Sequence, residues 1–133
     1  MENKKLTLLK VALIVFAFQA ILFGFFYAFI PQVSIEASGS DPVPSGWLRW
    51  SGAVLIAIGL GSILVIRKPK NQGIFVLTMA LGTLLCGLAL MYSSLFEPAG
   101  IGNVWHTVVP GLINLFTSLL LWIGLKQAKN ILW

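Results

Sequence analysis

Few side chains in this sequence can do chemistry, and they stand far apart along the chain. Arg49, Glu97 and the single histidine, His106, form the main set, with Glu36 and Asp41 upstream and Trp47, Trp50 and Trp105 interleaved. An arginine fork recognises carboxylate or phosphate oxygens, and a histidine titrates near neutral pH and can move a proton. These types suit a ligand-binding site facing an anion or a headgroup, in which Arg49 orients the ligand and His106 handles the proton. The leading expectation for them is a plain salt bridge from Arg49 to Glu97 or to one of the upstream acids, pinning the outer ends of spans two to four, and exposed pairs of that kind contribute only about 0 to 1 kcal/mol. A partner-binding surface is the third use of the same residues.

Gln19 and Asn114 are a second candidate pair, because each is an amide inside a long apolar run. An unbonded amide in an apolar medium costs a few kcal/mol. Each therefore needs a hydrogen bond across to another helix or a polar contact with a buried ligand.

Other chemistries find no support. Cys86 is the only cysteine, lies in an apolar run and has no CxxC partner, so it is expected to act as a small packing residue. One histidine, one cysteine and scattered acids do not make a metal-ligand set, and haem held by His106 would need a second ligand from elsewhere. No G-x-S-x-G, phosphate loop or H-E-x-x-H occurs, and Gly59-Leu60-Gly61 lies within an apolar run rather than a strand–turn–helix. Neither a metal nor a cofactor is expected.

The elements that must position these residues are dictated by hydropathy. Of 133 residues, 58% are hydrophobic and 10% charged, against roughly 25% charged in a soluble domain. Too little polar surface exists to face water. The stretch Trp47 to Lys70 sets the pattern, with an uncharged middle, tryptophans at one end and Arg67, Lys68 and Lys70 at the other. At about 1.5 Å per residue, roughly 20 residues cross a hydrocarbon core of about 30 Å. Similar runs at 6–30, 47–66, 73–95 and 107–125 predict one all-α transmembrane domain over 1–133, an integral membrane four-helix bundle running up-down-up-down.

Pro31 is expected to end the first span. Residues 31–46, with three prolines and two glycines, read as a solvated connector, with a lid or docking loop as the alternative and a weak strand signal at Val33–Ile35. The short RKPKNQ turn makes spans two and three antiparallel neighbours. Small residues Ala53, Ala57 and Gly61 recur every fourth position and are expected to pack on another helix, as is the set Gly82, Cys86 and Ala89. Pro110 is placed in the first turn of span four, where a missing amide hydrogen costs little.

Charge orients the bundle. Lys4, Lys5 and Lys10, then Arg67, Lys68 and Lys70, then Lys126 and Lys129 all fall on one side, and only Arg49 falls on the other. The positive-inside rule makes that side cytoplasmic, with both termini in. A net charge of +5 then reports topology and attraction to anionic lipid, not nucleic acid. The first run is too long for a cleaved signal and reads as a retained anchor. Counting from Lys10, Gln19 lies about nine residues deep, and Asn114 lies about twelve from Lys126. The depths differ by about 4 to 5 Å, so two antiparallel helices would let the amides bond. No acid or base lies inside any span, which counts against a proton-coupled transporter. Small multidrug transporters need a charge in their first helix, where this chain has neutral Gln19.

The arginine-led, glycine-rich second span, LRWSGAVLIAIGLG at 48–61, follows a first span ending at Ile30-Pro31 and a polar outer loop, and precedes a short basic turn and two more spans. This layout resembles the DoxX-like group of small bacterial four-helix membrane proteins. The resemblance implies a bacterial inner membrane and, for some members, oxidase or quinone-related functions; no catalytic residue carries over. The leading expectation is a non-catalytic accessory or scaffold subunit of a membrane complex, with membrane lipid and other membrane subunits or further copies of itself as partners. The alternative is a quinone- or lipid-binding enzyme using the outer residues, and a small-molecule transporter is third. The topology has a direct test: with Cys86 removed, Ser40→Cys should react with an impermeant thiol reagent in intact cells. Labelling only after permeabilisation would invert the arrangement.

Overall fold

The computed structural model describes residues 2–41, 43–97 and 103–133, with residues 2–5 as backbone only. The side chains of Lys4 and Lys5, and Pro98, Gly100 and Gly102 of the third connection, lie outside the described residues. The described residues form α1 (Glu2–Phe29), α2 (Pro31–Ser38), α3 (Ser45–Arg67), α4 (Gly73–Phe96), α5 (Trp105–Gln127) and α6 (Lys129–Leu132). α1, α3, α4 and α5 are long and apolar enough to cross a membrane. Only 22 to 33% of each apolar window is buried within the chain, so most of its surface needs apolar surroundings. The fold is an all-α four-helix membrane bundle with two short helices at its ends.

α1 packs closely on both α3 and α5, and α4 packs on α5. α3 and α4 have no comparable backbone approach despite the short turn between them. They meet through side chains instead: the Phe75 ring lies over Gly61, and Ser62 Oγ is 3.0 Å from Met79 Sδ.

The α1–α3 crossing is backbone on backbone. A Cβ added to Gly52 would stand 2.5 Å from the Ala28 amide nitrogen and 2.7 Å from the Gly24 carbonyl oxygen. One added to Gly24 would stand 2.8 Å from the Gly52 carbonyl oxygen. The buried face of α3 is therefore Gly52, Gly59, Ser62 and Val65. This corrects the expected stripe: Ala53 and Ala57 are exposed, and Gly61 is half-buried under Phe75. Adjacent helical residues differ by about 100° in direction, and glycine admits a closer approach than alanine. The helix is thus turned towards Gly52 and Gly59.

On α4 the buried residues are Gly73, Val76, Met79, Ala80, Thr83 and Gly87. Gly82, Cys86 and Ala89 point outward, and Cys86 is exposed rather than a packing residue.

Three further elements differ from the sequence expectation. Residues 31–38 are helical, neither loop nor strand. Pro31 both stops α1 and opens α2 as its first residue, where its missing N–H would be unsatisfied anyway. Gly39 ends α2 at φ 63°, donating its N–H to Ile35 and Glu36 carbonyls. α5 starts at Trp105, which places Pro110 inside the helix and leaves the His106 carbonyl without its i+4 amide donor. Finally, α6 folds across the end of the bundle, burying Ala128 and Leu132 and laying the Trp133 ring over Gly73.

The buried apolar cluster is one-sided. Leu9, Leu13, Phe16, Val65, Val76, Leu121 and Leu132 all lie in the half of the bundle nearest the basic residues. The other half is packed less fully and contains a cavity. Overpacking a close contact costs about 1 to 3 kcal/mol. Gly52→Ala should therefore lower the melting temperature in detergent by several degrees, while Gly82→Ala, whose new Cβ meets nothing within 4 Å, should leave it unchanged. Equal melting of the two variants would refute the crossing.

Candidate functional site

At mid-bundle the polar side chains answer one another. Gln19 Nε2 donates to Asn114 Oδ1 at 3.0 Å, so the two amides bond directly across α1 and α5, as their depths require. Asn114 Nδ2 donates to the Pro110 carbonyl at 2.9 Å, and Thr117 Oγ1 approaches Gln19 Oε1 at 3.5 Å. Nearer the basic end, Ser118 Oγ donates to the Ala80 carbonyl at 2.8 Å and ties α5 to α4. Thr83 Oγ1 turns back on the Met79 carbonyl at 2.9 Å, the usual way a hydroxyl is satisfied inside a helix. Among the described residues no buried side-chain polar atom lacks a partner.

At the end opposite the basic residues, α2 lies over a cavity of about 290 Å³. Tyr27 of α1, Ser34 and Ser38 of α2, Ser93 of α4 and Thr107 of α5 line it, with Ser40 of the connector. Leu48 and Leu90 supply apolar wall, and His106 completes the polar set. α2 is fixed over the cavity at its far end, where the Asn103 amide donates to the Ser38 carbonyl at 2.8 Å. Ser38 Oγ and Ser40 Oγ are 2.8 Å apart, and Ser38 Oγ also bonds the Ile35 carbonyl at 2.9 Å. Apart from His106 the lining carries no ionisable group except the phenol of Tyr27. Hydroxyls both donate and accept, so this space offers hydrogen bonds to a polar group beside its apolar wall.

The structure separates the three outer residues grouped from the sequence. His106 lines the cavity. Glu97 lies beside it, accepting from Ser93 Oγ at 3.2 Å. Arg49 lies outside it and donates from Nη1 to the Ala28 carbonyl at 3.1 Å. Among the described residues Arg49 pairs with neither Glu97, Glu36 nor Asp41, so the expected salt bridge is absent. The reason is where the helices put them: Arg49 is on α3, which packs on α1, while Glu97 closes α4, which packs on α5. Ala28 lies in the last turn of α1, where carbonyls run out of intrahelical amide donors and carry the negative end of the helix dipole, which a guanidinium answers well. Arg49 is a cap for α1.

Tyr27 and the hydroxyls of the cavity were not singled out from the sequence. Ser34 and Ser38 stand four apart and would have marked a polar face once residues 31–38 were read as helix. Among the described residues no three His, Cys, Asp or Glu side chains converge.

The four spans, with the half-buried amide pair between them, define a small multi-pass integral membrane protein. Compared with known proteins, the chain matches no family model, no curated protein and no solved structure.

Interhelical bonds between polar side chains in membranes contribute about 0.6 to 2 kcal/mol. Gln19→Leu and Asn114→Leu should each destabilise the bundle, and the double variant should cost less than the sum of the singles by about that amount. Strict additivity in reversible unfolding would show that the pair is uncoupled.

Proposed function

We propose that this protein is a non-catalytic accessory or scaffold subunit of a membrane complex, in a bacterial inner membrane with both termini cytoplasmic. The observation that carries this reading is the outward direction of small residues on two spans. Ala53 and Ala57 on α3, and Gly82, Cys86 and Ala89 on α4, are exposed while other faces of the same helices already pack the bundle. Small residues let helices approach closely in lipid, where interhelical van der Waals contact drives association. The satisfied polar groups of the core and the uncharged span interiors fit a packing role better than proton or ion movement. Gentle extraction and native mass measurement test this. The wild-type chain should leave the membrane in an assembly heavier than its own 14.5 kDa, and Ala57→Leu with Gly82→Leu should release the monomer without changing its helix content. A wild-type monomer under the same extraction contradicts the proposal.

The cavity under α2 favours a second reading, a quinone- or lipid-binding protein of the DoxX-like kind with His106 at its outer site. In that case organic extraction of the purified protein yields a bound headgroup-bearing molecule, and His106→Ala lowers its amount several-fold. Equal amounts from both proteins exclude His106 from the site.

A further inference from the structure

At the basic end, α5 and α6 form an elbow that the role of accessory subunit leaves unexplained. Trp122, Lys126, Lys129 and Trp133 follow one another at spacings of four, three and four, which on a helix is one continuous face. α6 resumes after the single break at Ala128, and these four residues line one groove of about 490 Å³, with Ile123 and Leu125 as its apolar wall.

The groove is held in shape. Ala128 and Leu132 are buried, Trp133 is seated on Gly73, and the Asn71 amide bonds the Ile131 carbonyl at 3.3 Å, tying α6 to the turn between α3 and α4. Its two ammonium groups are unanswered: among the described residues neither the Lys126 nor the Lys129 side chain makes an ion pair or a hydrogen bond. The acids whose side chains are described, Glu36, Asp41 and Glu97, all lie at the opposite end. Arg67, Lys68 and Lys70 raise the positive potential here further.

We propose that this elbow holds one anionic phospholipid, its phosphate between Lys126 and Lys129 and an acyl chain along Trp122 and Ile123. Charge complementarity selects the headgroup: a net negative phosphodiester is attracted by both lysines, whereas a zwitterionic headgroup adds a cation of its own. The apolar wall selects a lipid over a soluble anion. Trp122 and Ile123 belong to the spanning segment and are exposed on it, so they meet acyl chains. The indoles sit at the interface, where tryptophan is favoured.

The test uses quenching of tryptophan fluorescence by brominated lipid. Trp47, Trp50 and Trp105 are 70, 66 and 65% exposed at the far end, so replacing all three with phenylalanine leaves Trp122 and Trp133 as reporters. Each juxtamembrane lysine is worth roughly fivefold in binding anionic lipid. In mixed vesicles, brominated phosphatidylglycerol should half-quench these reporters at a mole fraction at least about fivefold below that of brominated phosphatidylcholine. Lys126→Gln with Lys129→Gln should abolish the preference, and Arg67→Gln with Lys68→Gln should keep most of it. Native mass spectrometry of the wild-type chain, independent of the tryptophan changes, should retain one phosphatidylglycerol. Equal quenching by the two lipids overturns the proposal. So does loss of the preference in the Arg67/Lys68 variant to the same degree, which would mark a diffuse field, or displacement of the lipid by millimolar inorganic phosphate, which would mark a simple anion site.

Discussion

Lipid tails are as apolar as leucine, so hydrocarbon does not press α1 against α3; the two stay together because Gly24 and Gly52 let their backbones touch. Much of the bundle's geometry follows from that contact. It turns α3 so that Gly59 lies against Ile21 and Ala17 one turn and more further in, and it brings Arg49 to the end of α1, where it caps the Ala28 carbonyl. It also commits one face of α1 to α3, leaving Gln19 to point at α5. The hydrogen bond it donates to Asn114 then joins the α1–α3 pair to the α4–α5 pair, and Ser118 on Ala80 secures the second pair internally.

The two ends of the bundle are built on different principles. At the basic end, leucine, valine and methionine fill the space between helices, and α6 closes it with Leu132 and the Trp133 ring. At the other end the space is left open, and α2 covers it with Ser34, Ile35 and Ser38, a mixed polar and apolar wall. One half is filled by packed apolar side chains, and the other keeps an open space with mixed polar and apolar walls.

Hydropathy carried the four spans because a run of about 20 apolar residues has few other uses. The Gln19–Asn114 bond was legible too, since depth can be counted from the flanking lysines and an amide in hydrocarbon must find a partner. Helix rotation was not legible. Residues 52, 53, 57, 59 and 61 are all small, so a stripe can be drawn on more than one face, and only the partner helix decides between Gly52 and Ala53. Arg49 was misread because a cation suggests an acid, when the carbonyls at the end of α1 were the nearer need. The prolines around residues 31–46 suggested a loop, although Pro31 at a first helical position is itself a start signal. The hydroxyl-lined cavity draws on five separate elements, and no local pattern announces such a gathering.

The arrangement of the four spans rests on the backbone contact between α1 and α3. Magic-angle-spinning NMR of the carbon-13-labelled protein in lipid bilayers reads it directly, through cross-peaks between glycine and alanine α-carbons. Gly52 should show through-space peaks to Gly24 and Ala28, and Gly82 should show none to a residue of another helix in the same chain. Peaks from Gly52 to lipid, with Ala53 and Ala57 correlated to α1 instead, would show that α3 is rotated and that this packing scheme is wrong.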